Sequence, residues 1–178
     1  MSNQEFAMAN NAERFEALVE AYSGDLYRYA YWLSRNPNMA EDLVQETFMR
    51  AWRFLDSLND ESKAKSWLIT TLRRENARQY ERYRPQMEEL ELETIEDPRS
   101  SNGQGSDVDA VRDAMSRLPD NYREPLILQV LWGYSGEEIA DLMEMPRASV
   151  NTRLFRARQM LRKIMAGEED AITAGERV

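Results

Sequence analysis

The segment from Ser135 to Lys163 constrains the fold of this chain more than any other. It reads "SGEEIADLMEMPRASVNTRLFRARQMLRK". Ser135 and Glu138 have the spacing of a capping box, in which the Ser oxygen and the Glu carboxylate satisfy free backbone N–H groups at a helix start. Pro146 follows about two turns later, and proline suits the start of another helix because it lacks an amide hydrogen that would be unpaired there. The pattern predicts two helices joined by a tight turn.

The second of these helices combines one apolar stripe with a polar, basic face. Val150, Leu154, Ala157 and Leu161 are spaced four, three and four residues apart and form the stripe. A short helix, a tight turn and a polar second helix are the parts of a helix-turn-helix, whose second helix enters the major groove of DNA. Arg and Asn can pair with guanine and adenine edges, while Ser, Thr and further Arg residues can hold phosphates. The predicted DNA contacts are Arg147, Ser149, Asn151, Thr152, Arg153, Phe155, Arg156 and Arg158.

The net charge of the 178-residue chain is -9, but this charge is unevenly distributed. Residues 85–107 contain seven acidic residues and one basic residue, and residues 166–178 contain four and one. Between Lys63 and Arg84 there are instead seven basic and two acidic residues, and between Arg147 and Lys163 there are six basic residues and no acid. A basic helix face can be merely a solvated surface. Because attraction to phosphate depends on the local face, both basic stretches are nevertheless candidates for nucleic-acid contact.

Apolar residues spaced three and four apart recur along the chain and predict helices, whereas sustained period-two alternation is missing. In the first 84 residues they predict helices with stripes at Phe15–Leu33 and Leu43–Leu55, a loop at Asp56–Lys65, and a third helix at about Ser66–Tyr83, closed by Pro85. Trp52, Trp67 and, later in the chain, Val130 are predicted to lie on apolar stripes. Further helical stripes run from Val108 to Leu118 and from Tyr122 to Tyr134.

These patterns predict an all-α protein of two small helical domains joined by a flexible acidic linker. The segment 85–107 has two Pro, two Gly and clustered Ser besides its acids, a composition typical of a self-repelling linker. The predicted boundaries are 1–84 for the first domain, 85–107 for the linker, 108–166 for the helix-turn-helix domain and 167–178 for a disordered tail.

The chain contains no Cys and no His, which restricts its possible chemistry. Disulfides, thiolate nucleophiles, imidazole bases and nearly all zinc sites are excluded. An enzyme that uses carboxylates and a metal ion for catalysis is a further hypothesis, but the sequence shows no convincing pair of acidic residues for such a site. We therefore expect no catalytic activity, no cofactor, no metal and no small-molecule substrate. Since no apolar run approaches the roughly 20 residues that span a bilayer, we expect a cytoplasmic protein without membrane insertion.

Two further segments carry a resemblance to a known family. The chain contains, in this order, the segment "AEDLVQETFMRAW", the Trp67-Leu68 helix and the segment "SGEEIADLMEMPRASVNTRLFRAR". With these three segments it resembles the bacterial sigma factors, specifically the small extracytoplasmic-function (ECF) group. The resemblance covers about residues 12–165. It implies that the first segment docks on core RNA polymerase, that the second recognises and melts the −10 promoter element, and that the third reads the −35 element.

The resemblance also implies partners and site residues. Core RNA polymerase, promoter DNA and an anti-sigma factor are the expected partners; the protein would join the nucleoid within the holoenzyme, or lie near the membrane if its anti-sigma factor is membrane-bound. The implied polymerase contacts are Asp42, Gln45, Glu46, Phe48 and Arg50, and the implied −10 contacts are Asn59, Lys63, Lys65, Arg73, Arg74 and Arg78.

Two positions depart from the family pattern. Arg74 stands where the family often has Asn, which leaves the −10 base preference open. Asn151 stands where many relatives have Arg, and Asn in the major groove favours adenine over guanine. The alternative to a sigma factor is a conventional dimeric helix-turn-helix regulator, with a ligand-binding or dimerisation domain in its N-terminal half. Such a regulator would bind a palindromic site tightly without polymerase.

Overall fold

A computed structural model describes residues 3–57, 60–87 and 107–167, and these ranges contain helices and turns but no strand. The chain divides into two compact units, one with helices α1 to α3 and one with helices α4 to α7. The prediction of an all-α protein with two helical domains is confirmed. The elements are α1 (Asn3–Ser34), α2 (Pro37–Arg53), a 3-10 helix (Leu55–Ser57), α3 (Glu61–Met87), α4 (Asp107–Ser116), α5 (Asp120–Trp132), α6 (Gly136–Leu142) and α7 (Arg147–Met165).

The first unit is built from three helices around one apolar core. Arg35 has a positive φ of 52°, and Asn36 then caps α2 by accepting a hydrogen bond from the Met39 backbone N–H at 3.1 Å. Pro37 opens α2, where its missing N–H costs nothing. The core side chains are fully buried and come from all three helices: Leu26, Tyr29, Ala30, Leu43, Ala51, Leu68, Ile69 and Leu72.

The second unit relies on well-defined helix ends. Gly133 ends α5 in the left-handed conformation (φ 68°), which glycine adopts without steric cost. The predicted capping box is confirmed: the Glu138 N–H donates to Ser135 Oγ at 3.2 Å, and the Ser135 N–H donates to Glu138 Oε2 at 2.8 Å. The helix-turn-helix consists of α6 and α7. The helix-turn-helix packs on α4 and α5 around a shared apolar core, whose buried side chains include Leu118, Ile127, Leu128, Ile139, Val150, Leu154 and Ala157.

Helix α3 is longer than the sequence predicted at both ends. It begins at Glu61, because the Asp60 carbonyl accepts hydrogen bonds from the Lys63 and Ala64 N–H groups at 3.0 Å and closes a first turn. It also continues past Tyr83, so that Pro85 lies inside its last turn. The predicted loop therefore does not include residues 61–65, and Pro85 does not close α3 as predicted, while the boundaries of the linker stay a prediction. The buried side chain of Ala64 shows that this first turn belongs to the core.

Two residues predicted on apolar stripes are exposed. Trp52 is 44% exposed, although its ring packs edge-on against Phe15, and Val130 is 63% exposed. Trp67 is half-buried and lies beside Phe54, with 6.3 Å between the ring centroids.

Asn59, most of the predicted linker and the predicted tail beyond Gly167 lie outside the described residues. Among the helices that the structure describes, none has a stretch that could cross a membrane.

Candidate functional site

Helix α2 presents most of its predicted polymerase-contacting residues along one groove with α3. Asp42 and Gln45 are exposed, while Glu46 and Arg50 are half-buried. These four residues define the α2 docking face, and they line a groove of about 380 Å³ with side chains of α3. Phe48 differs from them, since it is only 8% exposed and its ring meets Phe15 edge-on at 6.1 Å. Phe48 thus packs mostly inside the unit, at the floor of the groove that Met49 and Trp52 border, and its contact with polymerase stays a prediction.

A buried carboxylate connects the α2 docking face to α3. Glu75 Oε1 lies 3.0 Å from Arg50 Nε of α2 and 2.8 Å from Arg78 Nη1 of α3, and the Glu75 side chain is only 10% exposed. Arg50 Nε also lies 3.0 Å from Glu46 Oε1. The four side chains form one ion network across the two helices. Within it, the Arg50–Glu75 pair connects α2 to α3, while Arg78 and Glu46 each pair with a residue of their own helix.

Sequence reasoning missed Glu75. The sequence does indicate a contact between Glu75 and Arg78. Glu75 is one of only two acidic residues among the cations of Lys63–Arg84, and it stands three residues before Arg78. That spacing brings two side chains together on a helix. The contact with Arg50 could not be found in this way, because it depends on how α2 packs against α3.

Apolar side chains also lie exposed next to the α2 docking face. Met49 and Trp52 are 47% and 44% exposed, and they border a groove with Phe15 and Val19 of α1. Large exposed apolar side chains that cluster in this way are typical of a surface that binds another protein. The sequence had placed Trp52 in the core, so this patch was not predicted.

The cations of α3 that were predicted to contact the −10 element do not all share one side. Lys63, Arg74 and Arg78 are exposed, and their separations of eleven and four residues place them on the same side of the helix. Lys65 and Arg73 are half-buried on other sides. Lys63 Nζ lies 3.8 Å from Asp60 Oδ2, but both side chains are at least half exposed. The structure thus brings three of the five described residues together.

Helix α7 distributes its predicted DNA contacts over three directions. Thr152, Phe155 and Arg156 point directly away from the buried stripe, and Phe155 is 59% exposed. Arg147, Asn151 and Arg158 follow one edge of this face, since they are separated by four and seven residues, and all three are exposed. Ser149 and Arg153 lie half-buried along the opposite edge.

Neighbouring helices contact several of these α7 side chains. Arg156 Nη1 donates a hydrogen bond to Tyr122 Oη of α5 at 3.3 Å, and Arg158 donates to the side-chain oxygen of Gln129 on the same helix. Arg147 Nη1 lies 3.5 Å from Glu137 Oε2 of α6, with both side chains about two-thirds exposed. Of these three contacts, only the last joins opposite charges.

Comparison with known proteins identifies the family. The Sigma-70 region 2 model matches residues 18–86, and the Sigma-70 region 4 model matches residues 109–161. The ECF RNA polymerase sigma factor SigM of Bacillus subtilis is 32% identical over 153 residues, which is 84% of this chain and 93% of SigM. The chain belongs to the ECF RNA polymerase sigma factors. EcfG of Rhodopseudomonas palustris, another member, is 33% identical over 149 residues, 82% of each chain.

A solved structure agrees with this assignment. The sigma factor RpoE of Bartonella quintana, crystallised with the anti-sigma factor NepR, superposes with a TM-score of 0.71 at 28% identity, over 87% of this chain and 98% of RpoE. The family resemblance read from the sequence is confirmed: this ECF sigma factor is a transcription initiation factor that works with core RNA polymerase and promoter DNA. Region 2 occupies the half of the chain that the dimeric-regulator alternative assigned to a ligand-binding or dimerisation domain.

Proposed function

We propose that the two units divide the work of initiation between three surfaces. The α2 docking face binds core RNA polymerase, the exposed side of α3 contacts the −10 element, and the exposed face of α7 reads the −35 element. The observation that carries this proposal is the separation of charge between the surfaces. The docking face includes Asp42 and Glu46, whereas α7 displays six basic residues and no acid between Arg147 and Lys163.

The charges suit these partners. Exposed Lys63, Arg74 and Arg78 on one side of α3 can neutralise phosphates along a strand that is being separated. On α7, Arg147 and Asn151 lie near the start of the helix, the part of a recognition helix that contacts base edges. The protein has no catalytic activity of its own in this scheme, and it acts in the cytoplasm.

The docking assignment is tested by reversing charge on the α2 docking face. Asp42→Arg with Glu46→Arg is expected to abolish co-elution with core RNA polymerase and run-off transcription, because it places two cations where the proposed partner meets anions. Asp113→Arg, an exposed substitution on α4, is the matched control and should leave co-elution unchanged. Circular dichroism must show that all variants remain folded. If the double variant still co-elutes with core polymerase, α2 is not the docking helix.

We also propose that a separate anti-sigma protein controls this factor. The similar RpoE structure is a complex with such a protein, and the apolar patch of exposed Met49 and Trp52 with half-buried Phe15 and Val19 offers a surface for one. The purified chain should then start transcription with core polymerase and promoter DNA alone, since its inhibitor is a different molecule. A chain that stays inactive until a small molecule is added would point to an internal sensor instead.

A further inference from the structure

Gly136, the first residue of α6, is a glycine that its backbone conformation does not require. Its φ is outside the left-handed region, in contrast with Gly133 and Gly167, whose φ values are 68° and 76°. Glycine within a helix is otherwise unfavourable compared with alanine. The surroundings of Gly136 do supply a reason for glycine at this position.

Those surroundings are the side chain of Asn151 on α7. A Cβ atom at position 136 would lie 2.8 Å from Asn151 Oδ1 and 4.0 Å from Asn151 Cγ. A carbon and an oxygen that are not bonded to each other do not approach so closely. The side chain of Asn151 occupies this position only because Gly136 has no side chain.

Relief of such a clash would move the Asn151 amide rather than the backbone. Oδ1 is at the end of a short side chain that rotates about two bonds, and Asn151 is exposed on α7. The first turn of α6 is, by contrast, held in place by both hydrogen bonds of the Ser135 and Glu138 capping box. A larger residue at 136 would therefore exclude this Asn151 rotamer while leaving the two helices in place.

The same turn of α6 contacts a second residue on this edge of α7. Glu137 Oε2 lies 3.5 Å from Arg147 Nη1, and Arg147 is four residues before Asn151 on the same edge of the helix. Two consecutive residues of α6 thus meet two predicted −35 contacts. The orientation of this edge depends on α6 as well as on α7.

We propose that Gly136 is a specificity-determining residue of the −35 reader, which acts by setting the rotamers open to Asn151. An asparagine amide recognises adenine with one donor and one acceptor in a single plane, so its preference depends on the orientation of that plane. Gly136 and Asn151 then form one unit in which the small residue on α6 defines how the amide on α7 meets the base. The proposal rests on the proposed role of Asn151 as a −35 contact.

The test measures base preference with holoenzymes on a promoter library randomised across the −35 element. Four factors are compared: the natural chain, Gly136→Ala, Asn151→Ala and the double variant. We expect Gly136→Ala to change the preference by about fivefold or more at the base pair where Asn151→Ala changes it, since a bidentate contact discriminates by roughly fivefold to more than a hundredfold. The double variant should match Asn151→Ala, because Gly136 acts only through Asn151.

Gly24→Ala is the matched control, because a Cβ at Gly24 on α1 would meet only Arg28 at an ordinary 3.9 Å. It should leave the library profile unchanged. If Asn151→Ala alters the preference and Gly136→Ala does not, or alters other base pairs, the Gly136 proposal is overturned and the role of Asn151 stands. If Asn151→Ala has no effect on preference, the −35 assignment of Asn151 fails, and the Gly136 proposal fails with it. If Gly136→Ala also weakens binding to core RNA polymerase as much as it changes base preference, the Gly136 proposal is overturned too, since such a result would indicate misfolding.

Discussion

The two basic helices of this sigma factor, α3 in the first unit and α7 in the second, differ in what their cations contact. On α3, Arg78 binds the buried carboxylate of Glu75, which also binds Arg50 of α2. On α7, Arg156 and Arg158 contact the neutral side chains of Tyr122 and Gln129. One cation of α3 is thus engaged by a carboxylate that joins α3 to α2, whereas Arg156 and Arg158 of α7 keep their charge available to an outside partner.

The ion pair between Arg147 of α7 and Glu137 of α6 does not change this contrast. Arg147 and Glu137 are 3.5 Å apart, but their side chains are 66% and 70% exposed. Pairs with such exposure contribute about 0–1 kcal/mol and are screened by salt. A phosphate or base edge can therefore replace Glu137 at little cost. Similar numbers of basic residues in two helices consequently support different roles, and burial of the counter-charge decides which.

The largest effect is expected from removing charge on α7. Arg147→Ala with Arg156→Ala should lower transcription from a −35-dependent promoter by roughly tenfold to a hundredfold or more, because each contact to a base or phosphate contributes about 1–3 kcal/mol. Run-off transcription at constant salt measures it. Co-elution with core polymerase should persist, and Arg162→Ala, an exposed cation in the last turn of α7, should have a much smaller effect. Equal loss of polymerase binding would indicate misfolding rather than lost recognition.

A smaller effect is expected on stability when the ion network of the first unit is broken. Glu75→Gln should lower the free energy of unfolding by about 1–3 kcal/mol, below the 3–5 kcal/mol of a fully buried pair because Arg50 and Arg78 are 32% and 56% exposed. Urea unfolding followed by circular dichroism measures it. Glu81→Gln, an exposed change on the same helix, should stay within about 0.5 kcal/mol.

Substitution of one arginine on each basic helix tests whether α3 and α7 differ in their contribution to stability. Arg78→Ala should destabilise the chain, because Glu75 loses one of its two cations, whereas Arg156→Ala should not, because its partner is the neutral Tyr122 hydroxyl. We expect a difference of roughly 1 kcal/mol in the free energy of unfolding. Equal values for the two variants would show that the Arg78–Glu75 pair contributes no more to stability than the Arg156–Tyr122 hydrogen bond.

The smallest effect concerns the local hydrogen bonds that hold the short helix α6. Ser135→Ala removes the oxygen that accepts from the Glu138 N–H and should cost about 1 kcal/mol. Urea unfolding measures it, with Asp141→Ala, an exposed change within α6, as the control. A Ser135→Ala chain as stable as the natural one would show that packing alone fixes α6.

Much of this fold could be predicted because its signals are local. The capping box at Ser135, the α5 end at Gly133 and the buried spacing of Val150, Leu154 and Ala157 each depend on residues a few positions apart. The errors arose at helix ends and edges. Pro85 does not end α3, although proline commonly stops a helix, and Trp52 is exposed, although it continues an apolar stripe, because a helical pattern does not show where the covering helix stops.

The sequence by itself determined the helical class, the two units, the helix-turn-helix and the family, since periodicity, caps and motif order are properties of neighbouring residues. Only the tertiary structure decided which charges have partners and which side chains share a space. Arg50 reaches Glu75 across 25 positions, and Gly136 leaves room for Asn151 across 15. Such contacts depend on how one helix packs against another. Residue spacing along a single helix carries no information about that packing, because spacing defines directions around one axis only.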